Sequence, residues 1–241
     1  MWPHLITIGV GDMAIAIGTD SPDVMATLEP WRIDYVGEPT DYCLELSPES
    51  PGPGRPRPLP GLYHGSTALL RSRDTTRLTT TLLRVLSSHA RPAGDHQVRV
   101  ALMPVIRGGV AMLLPRASIG AVPDRWLLAQ GIEAIYTVSS LVDTDGAQVL
   151  IDPPLGSEEE PGAFEFGGWW LPPRHSDGAL SPGFAVAEVM ALATDVSALN
   201  AASTLRAVAR LVERAHPVFA PTIGEGAKEN LIEALQRVGA G

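Results

Sequence analysis

Apolar and polar residues alternate in several stretches of the first 95 residues, which is the spacing of a half-buried β-strand. The alternation predicts a β-hairpin over Leu5–Ile17, a strand over Tyr42–Leu46 and a return to the sheet over Leu62–Leu70. Leucines at helical spacing predict a helix over Thr75–His89, and Ser21 followed by proline favours the start of a shorter helix. Residues 1–95 are therefore predicted to form a small β-rich region with one or two helices.

From residue 96 onward, strand-like and helix-like patterns are mixed along the chain. This order predicts an α/β fold, in which residues 96–241 form a core with a mixed β-sheet and C-terminal helices. The predicted strands are Val98–Leu102, Val110–Leu114, Ile135–Val142, Gln148–Ile151 and Phe164–Leu171, and the predicted helices are Pro123–Gln130, Pro182–Asp195, Ala201–Ala215 and Glu225–Val238.

Charge and cysteine content exclude several classes of function. The formal net charge of −9 repels phosphate backbones, so nucleic acid is not predicted as a partner. The single cysteine, Cys43, allows neither an internal disulfide nor a cysteine-based zinc site. Neither a secretory signal nor an apolar run of about 18 residues is visible, so a cytoplasmic protein without a membrane span is expected.

The central part of the chain has a recognisable order of motifs. A strand ends in Leu113-Leu114-Pro115, a loop and a short helix follow, and Gly131 precedes a strand with the polar pair Ser139-Ser140. This order resembles the HPr kinase/phosphatase-like P-loop family, and in particular its short members found beside gene clusters for modified peptides. The resemblance runs from Gln97 to Leu155 and resumes over Leu180–Leu235. It implies an HPr-kinase-like core.

The catalytic positions of that family are occupied here by other residue types. Arg116 stands where the resemblance places the first P-loop glycine, and the Gly-Lys-Ser/Thr step after Ser118 and Gly120 is missing. Ser139 and Ser140 match the acidic pair that would hold magnesium and activate the acceptor hydroxyl. Phosphoryl transfer depends on that cation and those carboxylates. The resemblance therefore implies a degenerate nucleotide site and a pseudoenzyme without a cofactor or metal.

Other patterns of polar residues are weaker candidates for chemistry. His175, Asp177 and Ser181 lie close together, but in a loop-like stretch without the nucleophile elbow of a hydrolase, and a solvated loop is predicted. Asp143 and Asp145 flank a predicted tight turn, which is favoured over half of a metal-binding loop. The six histidines show no metal-binding spacing.

Two neighbouring features are candidates for binding a peptide. Glu158–Glu160 is predicted to be a solvated run, with attraction of a basic peptide as the alternative. In the aromatic stretch that begins at Phe164, Trp169 and Trp170 would point to opposite faces of a regular strand. Core packing explains the aromatics, and the alternative is one exposed indole that anchors a peptide.

These observations predict a non-catalytic, peptide-binding accessory protein in the biosynthesis of a ribosomally made, post-translationally modified peptide. Its partner would be the precursor peptide or a biosynthetic enzyme. Two alternatives remain open. One is an atypical ATP-dependent kinase in which Arg116 or Arg125 replaces the lysine. The other is a structural subunit that docks a partner enzyme or forms a homodimer through its C-terminal helices.

Overall fold

A computed structural model describes residues 2–34, 41–48, 56–94, 96–119, 122, 124–171, 182–194, 201–214, 218–219, 229 and 231–234. The chain divides into two compact units. The first comprises Met1–Arg91 together with Asp152–Glu160, and the second comprises Pro92–Ile151 together with Pro161–Gly241. Each unit combines a mixed β-sheet with helices, so the predicted α/β class is confirmed at this level.

The first unit contains a five-stranded sheet in the order β1-β2-β3-β4-β5. All neighbouring pairs are antiparallel except β2 and β3, which are parallel. The predicted N-terminal hairpin is confirmed, and the predicted return over Leu62–Leu70 is a second hairpin. The strands are β1 (His4–Val10), β2 (Met13–Thr19), β3 (Tyr42–Glu45), β4 (Gly61–His64) and β5 (Thr67–Arg71).

Two helices pack on this sheet, and their caps are the ones that the sequence indicates. Helix α1 (Pro22–Leu28) begins after Ser21, whose hydroxyl accepts a hydrogen bond from the Val24 amide. Helix α2 (Thr75–Ala90) begins after Asp74, whose carboxylate accepts from the Arg77 amide. The buried side of α2 carries the residues that hold it on the sheet: Leu78, Thr81, Leu82, Val85, Leu86 and Ser88.

The segment Asp152–Glu160 belongs to the first unit, although the sequence pattern predicts it within the core over residues 96–241. The buried Asp152 carboxylate pairs with Arg91 at 3.3 Å, and the Asp152 carbonyl accepts from Arg84 Nε at 3.2 Å. The Leu155 amide donates to the Leu83 carbonyl at 3.0 Å. These contacts are non-local, so the local sequence pattern does not predict them.

The second unit contains an eight-stranded mixed sheet. Its strand order is β6-β10-β11-β12-β8-β7-β9, and β13 pairs with β12. The predicted strand Val98–Leu102 ends earlier, and β7 lies between it and the Arg107-Gly108-Gly109 turn. The strands are β6 (Gln97–Val100), β7 (Met103–Arg107), β8 (Val110–Leu114), β9 (Glu133–Ala134), β10 (Ser140–Asp143), β11 (Gln148–Ile151), β12 (Gly162–Leu171) and β13 (Val218–Phe219).

Helices cover both faces of this sheet, so consecutive strand residues enter two different hydrophobic clusters. Leu113 packs with residues of α5 (Pro182–Ala191) and α6 (Ala201–Arg214). Its neighbour Leu114 packs with residues of α3 (Arg116–Ile119) and α4 (Asp124–Ala129). Most of the predicted helix over residues 225–238 lies outside the described residues. A sheet that is buried on both faces removes the polar positions on which strand prediction relies.

Gly156 provides a test of how tightly the segment Asp152–Glu160 packs. Its φ is +85°, and an added Cβ would lie 2.8 Å from Trp31 Cη2. We expect Gly156→Ala to lower the free energy of unfolding by about 1–2 kcal/mol because of the left-handed backbone. The clash with the indole should add about 1–3 kcal/mol.

The matched control is Gly65→Ala in the same unit. Gly65 also has a positive φ, of +54°, but no atom lies within 4 Å of its added Cβ. Urea unfolding of both variants separates the backbone cost from the cost of the ring contact. Equal destabilisation of the two variants would contradict the packing of Gly156 against Trp31.

Candidate functional site

The segment after β8, where the resemblance places the phosphate-binding loop, is a short helical turn. The Ser118 amide donates to the Pro115 carbonyl at 2.9 Å, and the Val122 amide donates to the Ile119 carbonyl at 2.8 Å. A phosphate cradle depends on backbone amides that point at the ligand. In this turn those two amides already have protein acceptors. Gly120, the third candidate of this segment, lies outside the described residues.

Side chains of the same turn are part of the hydrophobic interior. Ile119 is fully buried and Val122 is 6% exposed, and both pack with Leu114 in the cluster beneath α3 and α4. Arg116 is half-buried, and its burial lowers the pKa of the guanidinium. A change of this turn into an open loop would expose the two apolar side chains.

The second predicted half of the degenerate site, Ser139 and Ser140, lies at the start of β10. The Ser140 hydroxyl donates to the Leu102 carbonyl at 2.7 Å, and both residues are buried. The Ser139 carbonyl accepts from the Thr137 hydroxyl at 2.8 Å. The hydroxyl at position 140 therefore holds the start of β10 to the β6–β7 connection.

The structure brings the two halves to the same part of the second unit. Leu102, the partner of Ser140, directly precedes Met103, and Met103 is opposite Leu114 in the β7–β8 pair. Arg116 follows Leu114 after one residue. The degenerate positions predicted from two separate stretches are thus arranged around the bend between β6 and β7.

One carboxylate near this bend is not among the predicted site residues. Asp124, in the first turn of α4, accepts a hydrogen bond from the Tyr136 hydroxyl at 2.6 Å. The Ile135 amide donates to the Pro104 carbonyl, which places Tyr136 beside β7. From the sequence, Asp124 fits an acid at a helix N-terminus. This local role does not predict that Asp124 pairs with Tyr136, twelve positions further along the chain.

Trp169 and Trp170 are both buried, at 1% and 4% exposure. A register shift between Phe166 and Gly168 interrupts the strand, so Trp169 packs against Phe166 with the ring centroids 4.7 Å apart. Trp170 points to the opposite face and joins the cluster beneath α3 and α4. Neither indole is a surface anchor for a peptide, because this sheet has a covered face on each side.

The turn between β10 and β11 has the geometry predicted for it. The Asp143 carboxylate accepts from the amides of Asp145 and Gly146, at 3.0 and 3.3 Å. This arrangement is an Asx-type turn, in which the aspartate holds its own backbone. The Asp145 carboxylate contacts His96 and Arg210, at 3.1 and 3.6 Å. Both carboxylates therefore have structural partners.

The first unit contains a polar cluster that the sequence does not predict. The Tyr42 hydroxyl and His89 Nε2 are hydrogen-bonded at 2.7 Å, and the His64 ring stacks on Tyr42 with the centroids 4.9 Å apart. Tyr42 is 1% exposed, and burial, followed by the negative charge of Asp41, raises the pKa of its hydroxyl. The three rings come from two strands and a helix, so no local motif indicates them.

Comparison with protein-family models, with curated proteins and with solved structures gives no match to this chain. Over the described ranges, His, Cys, Asp and Glu side chains do not gather in groups of three that could hold a metal ion. None of the helices in the described part of the chain is long and apolar enough to cross a bilayer.

The raised pKa of the Tyr42 hydroxyl predicts a loss of stability at high pH. Because its pKa is raised on folding, its contribution is fully present below the unfolded tyrosine pKa of about 10. The contribution is lost as the pH rises from there through the higher folded value. We expect the stability advantage of the natural protein over Tyr42→Phe to shrink above pH 10 by up to about 1.4 kcal/mol per pH unit.

Urea unfolding from pH 8 to pH 11 measures this difference. Tyr63→Phe, on the neighbouring strand, is the control because the Tyr63 side chain is only half-buried. Parallel stability curves for the natural protein and Tyr42→Phe would show that the buried hydroxyl is not the source of the pH dependence.

Proposed function

We propose that this protein is a non-catalytic peptide-binding accessory protein, and that it adds an extended peptide to the open edge of the sheet in its first unit. The observation that supports the proposal is that no other described strand pairs with the outer side of β5. An unpaired strand edge offers backbone donors and acceptors to a further strand, which is how β-augmentation binds peptides.

The other sheet edges are less available. The outer side of β1 receives a hydrogen bond from the Ile33 amide to the Thr7 carbonyl, and Ile8 is bridged to Arg32. In the second unit, β6 is bridged to Ala193, and the opposite edge is the two-residue strand β9. Within the described residues, the outer side of β5 receives no backbone hydrogen bond.

The residues around the β6–β7 bend support the non-catalytic part of the proposal. Phosphoryl transfer needs a cation and carboxylate-bound metal at the transferred group. The turn after β8 has Arg116 and two buried apolar side chains, and the start of β10 has Ser140 bound to a backbone carbonyl. The only lysine, Lys228, is more than a hundred positions further along the chain. The degenerate P-loop core implied by the resemblance is part of this proposal.

The resemblance supports a place in the biosynthesis of a ribosomally made, modified peptide. In that setting the extended ligand would be a segment of the precursor peptide. A protein that holds such a segment without reacting with it would present the remainder to a modifying enzyme. Binding energies of about −8 to −12 kcal/mol, micromolar to nanomolar affinity, would suit this role.

Selection from a displayed library of random peptides, each about ten residues long, tests the proposal. We expect enriched sequences to bind the full chain at micromolar affinity or better in fluorescence anisotropy. Copies of the best peptide with methyl groups on alternate backbone nitrogens should lose that affinity on one of the two registers, since only one set of amides faces the edge strand. A library without any enriched binder would refute the proposed function.

ATP with magnesium provides the test of the kinase alternative. A nucleotide at a saturating concentration should raise the melting temperature by several degrees if the protein binds it. We expect no shift, because the turn after β8 is closed by its own hydrogen bonds. The selected peptide serves as the positive control for the assay. A clear shift with ATP would favour an atypical kinase.

A further inference from the structure

The charge of the chain is distributed unevenly around the open edge. The protein as a whole has a net charge of −9, yet residues 61–91 contain five arginines and a single carboxylate, Asp74. These residues comprise β4, β5 and α2. The composition of the whole chain therefore does not describe the balance of charge in this segment.

Two of the five arginines have side chains engaged within the first unit, since Arg84 and Arg91 hold Asp152. Arg77, in the first turn of α2, is half-buried. The carboxylate of Asp74 accepts a hydrogen bond at the start of α2. Arg71 and Arg73 are exposed cations at the end of β5, with Asp74 beside them.

The guanidinium of Arg71 is positioned by an aromatic ring. It lies 5.9 Å from the centroid of Tyr63, within the range of a cation–π contact. A planar guanidinium held in this way presents its donors to a ligand with little loss of side-chain entropy. Arginine forks bind carboxylates with two parallel hydrogen bonds.

The same end of the sheet also offers apolar surface. The Ser72 amide donates to the Pro60 carbonyl at 3.0 Å, so the β4–β5 pairing continues one step beyond Arg71. Leu59, directly before Pro60, is 41% exposed, and Arg57 is exposed two positions earlier. Backbone edge, arginines and an apolar side chain are thus grouped at one end of β5.

We propose that the β5 edge binds an acidic segment of peptide in an extended conformation, with Arg71 and Arg73 contacting its carboxylates. This inference rests on the proposed function and specifies its ligand. Charge complementarity selects the occupant, because Arg71 and Arg73 are exposed while Asp74 caps a helix. A second copy of this chain, through its exposed run Glu158–Glu160, is the competing occupant.

The peptides selected on the full chain provide the first measurement. We expect Asp and Glu to be enriched among them over the starting library, and their affinity to fall as the salt concentration rises. Amide hydrogen exchange should slow on peptide binding at the β5 amides that face the open edge, and not in the second unit. The Ser72 amide, already bound to the Pro60 carbonyl, should change less.

Matched variants provide the second measurement. Arg71→Gln/Arg73→Gln should weaken the best acidic peptide at least tenfold, whereas Arg71→Lys/Arg73→Lys should recover part of the affinity through the retained charge. Arg32→Gln/Arg206→Gln removes the same net charge from exposed positions elsewhere and should change the affinity less than about twofold. Thermal unfolding of each variant verifies that it is folded.

The outcomes separate this inference from the proposed function. If no peptide is enriched, both the proposed function and this inference are refuted. If peptides bind, but without acidic enrichment and equally well to Arg71→Gln/Arg73→Gln, only the acidic ligand is refuted. Sedimentation without peptide completes the test. Self-association that disappears in Arg71→Gln/Arg73→Gln, and in a Glu158→Gln/Glu159→Gln/Glu160→Gln variant, would identify a second copy as the occupant and overturn the inference.

Discussion

The burial of Ile119 and Val122 is the physical constraint that keeps the turn after β8 closed. An apolar side chain of this size gains about 1.5–3 kcal/mol when it is removed from water. An open anion-binding loop at this place would forfeit that gain twice and would leave the guanidinium of Arg116 to carry the site alone. The hydrophobic interior therefore favours the closed helical turn that follows β8.

Much of the local structure could be predicted from the sequence, and the topology could not. Caps such as Ser21 and Asp74 act within a few residues, so their helices begin where the pattern indicates. Trp170 and the segment Asp152–Glu160 depend on what packs over them from distant parts of the chain. Trp170 is buried because the second face of the sheet is covered as well, which no local pattern shows.

The candidate sites likewise combine features that the sequence predicts with features that only the fold shows. The sequence indicates Arg116 and Ser140 as candidate site residues. The hydrogen bonds of Ser140, and of the Ser118 amide next to Arg116, are visible only in the structure. Asp124 with Tyr136, and Tyr42 with His89, are pairs joined only by folding. Arg71 and Arg73, at the end of β5, are visible in the sequence. The net charge over all 241 residues does not indicate them, because acidic residues elsewhere outnumber the basic ones.

The discontinuity of the first unit has a consequence for how the chain acquires its structure during synthesis. Residues 1–91 emerge from the ribosome first, yet the piece that buries Asp152 against Arg91 and packs Gly156 on Trp31 is translated about sixty codons later. Until then the N-terminal sheet lacks part of its own packing, and β6 to β11 are already available to fold. The first unit is therefore completed only after the first part of the second unit has been made, and no single cut in the gene separates the two units.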